Sequence, residues 1–178
     1  MFEPYRPEPY SDFSDPAAKA AFELALAGVQ DRFGVHVPLV IAGEAWETGR
    51  VIESVDPARP DRVIGTAVSA GVPEAERALD AAWEAFASWS ALTPLERARV
   101  GVKLATLMHS RKYELAAWQV FEAGKNWLEA EADVAEAIDF CEYYAHQAVR
   151  LGEPVAVHPF PGEENESHLI PMGAGVAA

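Results

Sequence analysis

Apolar positions recur at helical spacing near the start of the chain, cluster in short runs from residue 37, and return to helical spacing from residue 73. Residues 1–14, rich in Pro, Tyr and Glu, have no period and read as an extended arm. Asp15 before Pro16 marks a helix start: the carboxylate accepts an orphaned backbone N–H, and proline has none to lose at the first helical position. Phe22, Leu26, Val29 and Phe33 form its stripe, and Gly34 ends it. Val37–Ala42 is a short apolar run turned by Gly43 towards Trp46, which predicts a β-hairpin. Val51–Val55 and Val63–Val68 are further strands, separated by turns at Asp56-Pro57 and Arg59-Pro60-Asp61.

Everything from Pro73 to Leu151 reads as helical. The first helix carries Leu79, Ala82, Trp83 and Phe86 on one face. Thr93 and Glu96 make a capping box for the second, whose stripe is Val100, Leu104 and Leu107. A break near Ser110 precedes a helix over Tyr113–Ala123, closed by Gly124. Asn126 with Glu129 starts a long helix with Val134, Ile138, Cys141, Ala145 and Ala148 inward, ending at Gly152. The block's expected core is Leu79, Phe86, Leu104, Leu107, Phe121 and Ile138. Glu153–His158 and Ser167–Met172 then read as a terminal β-hairpin, and 173–178 as the start of another strand that stops short.

Composition narrows the class. The 178 residues are 50% hydrophobic and 24% charged, a soluble globular profile with enough chain for one core. No apolar run approaches the roughly 18 residues of a membrane helix. The acidic, proline-containing N-terminus lacks the basic start and apolar run of a signal peptide, so a cytoplasmic location is expected. A net charge of −14 repels phosphate backbones and anionic lipid, which argues against nucleic-acid and membrane partners. The lone Cys141 permits no internal disulfide and suits a reducing compartment.

Candidate chemistry is sparse. Gly173-Ala174-Gly175 lacks the third glycine, following helix and downstream acid of a dinucleotide loop, and reads better as a strand entry. Cys141 is either a nucleophile or, the favoured reading, a packing residue on an apolar helix face. His158 and His168 could face each other across the last hairpin, but two histidines without a carboxylate make a weak metal case, and no metal is expected. Asn165-Glu166-Ser167 matches a glycosylation sequon that means nothing without export. The five tryptophans read as core or interface anchors. Asp133, Glu136, Asp139 and Glu142 form an acidic edge: a solvated face, or one from which Glu142 turns inward to a site. On residues alone the reading stops at a soluble, acidic α+β domain that looks incomplete.

Two blocks go further. Phe121-Glu122-Ala123-Gly124-Lys125-Asn126-Trp127 and Ala132–Ala145, with Pro161–Ser167, resemble the aldehyde dehydrogenase superfamily in its 1-pyrroline-5-carboxylate dehydrogenase subgroup. The order of parts matches too. The resemblance implies the N-terminal part of that α/β fold: an arm and helix over 1–36, the start of an NAD-binding domain over 37–152, an oligomerisation hairpin over 153–172, and a truncated strand over 173–178. It implies an NAD-dependent oxidation in proline catabolism: a Cys thiolate attacks glutamate semialdehyde, hydride leaves to NAD, and a Glu-activated water releases glutamate. An Asn amide and a backbone N–H hold the oxyanion.

That Cys, Glu and Asn, and the cofactor loop, would lie beyond Ala178, so the resemblance places no catalytic and no cofactor-binding residue in this chain. Glu142 is the residue it puts near substrate. Inactivity alone is expected, with partners being further copies through the terminal hairpin or a C-terminal portion in trans. A frameshift, a split gene or cloning would each yield such a chain. The alternative is a non-catalytic helical interaction module descended from the same fold.

Overall fold

The computed structural model describes residues 4–158 and 161–174. The expectations for Glu3 in the arm, Pro159-Phe160 in the last loop and the strand start at 175–178 lie outside the described residues. Helix α1 spans Pro16–Gln30, with Asp15 Oδ1 accepting from Ala17 N at 3.0 Å. Strands follow: β1 Val35–Val37, β2 Leu39–Ile41, β3 Glu44–Trp46, β4 Val51–Asp56 and β5 Arg59–Val68. Four helices come next: α2 Val72–Ala91, α3 Pro94–Ser110, α4 Lys112–Ala123 and α5 Trp127–Gly152. A short pair, β6 Val155–Ala156 and β7 Glu166–Ser167, is antiparallel.

The run expected as one hairpin arm is split by Pro38. Residues 35–37 pair parallel with β5 in a sheet of order β1-β5-β4, while β2 pairs antiparallel with β3. Proline has no N–H to continue a ladder, so pairing changes partner there. The β2–β3 turn is Ala42-Gly43, both at positive φ (53° and 82°), the backbone a two-residue hairpin requires. The expected turn at 59–61 is instead the start of β5. Register shifts at Ser54/Val55 and Val55/Asp56 absorb Pro60 as a bulge. The turn itself is held by Asp56 Oδ1 accepting from Ala58 N at 2.8 Å.

The helix signals held. Thr93 Oγ1 accepts from Glu96 N at 3.2 Å, and Glu96 Oε2 accepts from Thr93 N at 2.7 Å. Gly124 closes α4 in the left-handed region, and Asn126 Oδ1 accepts from Glu129 N at 3.0 Å.

The expected core does not form as drawn. Of its six residues only Ile138 is buried. No residue of α2 is buried, and Val100, Leu104 and Leu107 of α3 are exposed. Instead α3 meets α5 through its small face, Ala98, Gly101 and Ala105, because small side chains let two helix backbones approach. At the far end Gly152 lies on Pro94, where a Cβ would come within 2.2 Å of Pro94 Cγ. Ala148, expected inward, is exposed.

The actual core is Phe22, Ala105, Ala116, Ala130, Val134 and Ile138. Phe13 from the arm packs into it, edge-on to Phe22 at 5.1 Å and to Trp127 at 5.7 Å. The terminal strands are two residues each, shorter than expected, and Val155, Val157, Leu169 and Ile170 are all exposed.

Candidate functional site

The acidic edge of α5 lies beneath the N-terminal arm. Asp133, Glu136, Asp139 and Glu142 follow one another at three-residue spacing, just short of a full helical turn, so they wind gradually around the helix. Asp133 pairs with Lys125. Asp139 Oδ1 accepts from Glu8 N at 2.7 Å and also binds the Tyr5 hydroxyl. The Tyr5 ring stands edge-on to Tyr143 at 5.7 Å. Desolvation, then the Asp139 carboxylate, then Glu142 push the Tyr5 phenol above its ordinary range. Glu142 is half-buried and Glu136 is exposed. Glu136 lines a cleft with Tyr5 and Tyr10 of the arm and Asp133, Asp139 and Phe140 of α5.

The arm is fixed by a buried charge cluster that patterning did not reveal. Lys112 on α4 is ion-paired to Glu131 on α5, bonds Glu8 Oε1 at 3.1 Å, and donates to Pro9 O at 2.6 Å. Ser11 donates its N–H and hydroxyl to Glu131, each at 3.0 Å. His109 Nδ1 meets Glu8 Oε2 at 2.9 Å. The available signal was Glu131 itself, a charge three and seven residues before Val134 and Ile138 on the apolar stripe.

Cys141 packs against the core cluster, and burial pushes its thiol up, away from the thiolate a nucleophile needs. His168 lies 3.4 Å from Glu166, both exposed. Among the described residues no three His, Cys, Asp or Glu side chains could hold a metal ion, and no helix is long and apolar enough to cross a membrane. Gly173 and Ala174 lie over α2 beside Phe86 and Trp89.

The helix starts carry capping groups of this chain's own. Asp15, Thr93 and Asn126 cap α1, α3 and α5 with their own side chains. The α2 and α4 first turns carry Glu74 and Glu114. Each of these side-chain caps accepts from one of the backbone N–H groups that a helix start leaves without an internal partner.

Comparison with known proteins places this geometry. Residues 45–177 match the model of the aldehyde dehydrogenase family. The chain is 45% identical over 176 residues to 1-pyrroline-5-carboxylate dehydrogenase 1 of Halalkalibacterium halodurans, covering 99% of this chain and 34% of that protein. It is 44% identical over 172 residues to the Bacillus subtilis 1-pyrroline-5-carboxylate dehydrogenase, covering 97% and 33%. A crystal structure of 1-pyrroline-5-carboxylate dehydrogenase from Thermus with bound NAD superposes with a TM-score of 0.92 at 49% identity, over 96% of this chain and 33% of that one. The chain thus spans about a third of the length of the relatives it matches, their N-terminal portion.

Proposed function

The chain belongs to the aldehyde dehydrogenase family, and on that premise we propose that it supplies the N-terminal third of an NAD-dependent 1-pyrroline-5-carboxylate dehydrogenase, which oxidises glutamate semialdehyde to glutamate in proline catabolism. The observation that carries this reading is the match to enzymes of that name across 99% of the chain. The chemistry is proposed to need residues outside the chain. No nucleophile and base meet among the described residues, and Cys141 packs against the core cluster. No step through NAD is therefore assigned to these residues.

What the chain contributes is shape and a carboxylate edge. The arm and the Lys112 cluster hold α5 in place. In the assembled enzyme Glu142, the residue the family resemblance points to, is proposed to lie near substrate. Glu136 is exposed on the cleft, away from Glu142 on the same helix. The terminal hairpin, with Val155, Val157, Leu169 and Ile170 exposed, is proposed to pair with further copies in a cytoplasmic homo-oligomer.

The test is NADH formation from glutamate semialdehyde. The chain alone is expected to give none above background. Co-expression with the remaining two thirds of the Bacillus subtilis relative is expected to restore it. Turnover by the chain alone, abolished by Cys141→Ser, would sink the proposal. The second reading, a non-catalytic helical module, draws on the wholly unburied α2 and predicts no rescue by any complementing portion.

A further inference from the structure

Between the arm and α5 lies a cleft of about 480 Å³, within the roughly 300–1,000 Å³ of small-ligand sites. Its rings make one connected wall. Tyr5 of the arm stands edge-on to Tyr143 at 5.7 Å, Tyr143 edge-on to Tyr144 at 5.4 Å, and Tyr144 stacks on Phe140 at 5.9 Å. Phe140, Tyr143 and Tyr144 are exposed. Glu136 precedes Phe140 by four residues on α5, so its carboxylate shares their face of the helix.

Charge sets this cleft apart. The cavity between the arm and the α3–α4 junction also holds acids, but there Lys112 and His109 meet Glu8, and Arg111 meets Glu114. The α5 cleft is lined by three carboxylates, Asp133, Glu136 and Asp139, and among the described residues by no Lys, Arg or His. Asp133 is paired with Lys125 at its edge. The donors to Asp139, the Tyr5 hydroxyl and the Glu8 N–H, are neutral and leave its charge in place. Glu136 has no hydrogen-bond or ion-pair partner among the described residues. Two negative charges therefore stand beside a row of rings without a cation to balance them.

The face of an aromatic ring is electron-rich, so these rings and carboxylates attract the same guest. A neutral apolar molecule gains nothing from the carboxylates, and a hydrated metal ion gains little from the rings. An alkylated ammonium uses both, its charge on the acids and its carbon groups on the ring faces. The exposed aliphatic side chains of α3, Val100, Leu104 and Leu107, have no such preference. We propose that the arm–α5 cleft binds a small organic cation, an alkylated ammonium, with its charge between Glu136 and Asp139 and its carbon groups against Phe140, Tyr143 and Tyr144. The site goes beyond the dehydrogenase reading and does not rest on it, because both walls belong to this chain.

The experiment is equilibrium dialysis of the full 178-residue chain against radiolabelled choline in about 0.15 M salt, where general surface attraction is largely screened. Saturable binding is expected. The neutral isostere 3,3-dimethylbutan-1-ol should compete at least about tenfold more weakly than unlabelled choline, and further sodium chloride at the choline concentration should not compete. Glu136→Gln and Tyr144→Leu should each weaken choline binding by about fivefold or more. Glu23→Gln, which removes the same charge from the exposed side of α1, should leave it unchanged. Circular dichroism of the variants should match wild type, since Glu136 and Tyr144 are exposed. Absence of saturable binding overturns the proposal. So does equal competition by the isostere, which would mark a merely apolar cleft, or by sodium, which would mark a merely acidic surface. Unchanged binding in either cleft variant, or an equal loss in Glu23→Gln, also overturns it.

Discussion

Lys112 on α4 is ion-paired to Glu131 on α5 with the lysine 9% and the glutamate 1% exposed. A charge at that depth is tolerated only with its partner, and removing one member leaves the other buried and uncompensated. Lys112→Ala strands Glu131 and also frees Glu8. It is expected to lower stability by about 3–5 kcal/mol in urea unfolding. Lys19→Ala, which breaks the surface pair with Glu23, should change it by less than about 0.5 kcal/mol. Similar losses in the two variants would show that the cluster is solvated in solution.

Glu114 gives a pH dependence. Hydrogen bonds from Arg111 Nε and Nη2 at 2.8 and 2.7 Å, aided by Arg32 at 2.7 Å and opposed by partial burial, hold its carboxyl at about 2, down from the usual 4.5. Because the folded value is depressed, the stabilisation is fully present above pH 4.5 and is lost as pH falls towards 2. Glu114→Gln should flatten that part of the stability–pH curve. An unchanged curve would remove Glu114 as its source.

Cys141 should behave as a packing residue. Its raised thiol pKa and its place against the core predict alkylation by iodoacetamide at neutral pH much slower than in the urea-unfolded chain. Equal rates would contradict the packing.

The carboxylate edge is tested in the co-expressed enzyme. Glu142→Ala is expected to lower kcat/KM by about tenfold or more, and by more than Glu136→Ala does. Glu23→Ala, on the exposed side of α1, should stay near wild type. Equal effects of Glu142→Ala and Glu136→Ala would make the edge only a solvated face.

The terminal segment should be the least protected. Residues 153–174 carry two strands of two residues each with exposed apolar side chains, and a lone hairpin is marginal in water. Hydrogen exchange on the isolated chain is expected to be fastest there, and sedimentation should show self-association. A monodisperse monomer with 153–174 as protected as α5 would mean the hairpin needs no partner.

Local chemistry was legible in the residues, and partnership was not. Asp15, Thr93–Glu96, Asn126 and Gly124 set helix ends through bonds spanning a few residues, so their patterns sufficed. The α3 stripe misled because periodicity marks which side chains are apolar, not which face is covered by this part of the chain. Val100, Leu104 and Leu107 make the stronger stripe, yet Ala98, Gly101 and Ala105 make the closer contact. Pro38 was read through because a run of valines and leucines looks continuous until strand partners are known. At the site, the four-carboxylate edge was visible. The Glu8–Lys112–Glu131 cluster was not, since Glu8 meets Lys112 across 104 positions and Ser11 meets Glu131 across 120.

The arm's anchorage also has a temporal side. Phe13 and Phe22 find Trp127, and Glu8 finds Asp139, so the start of the chain is completed by residues made more than a hundred positions later. On the ribosome, which builds a chain from its N-terminus at about 5–20 residues per second, α1 and the arm must wait several seconds for α5 to emerge. Until then Phe13 and Phe22 have only each other and Tyr113, and Glu8 only His109 and Lys112. A nascent chain arrested before residue 127 would present them to chaperones, and one arrested past residue 152 with α5 clear of the exit tunnel would have hidden them.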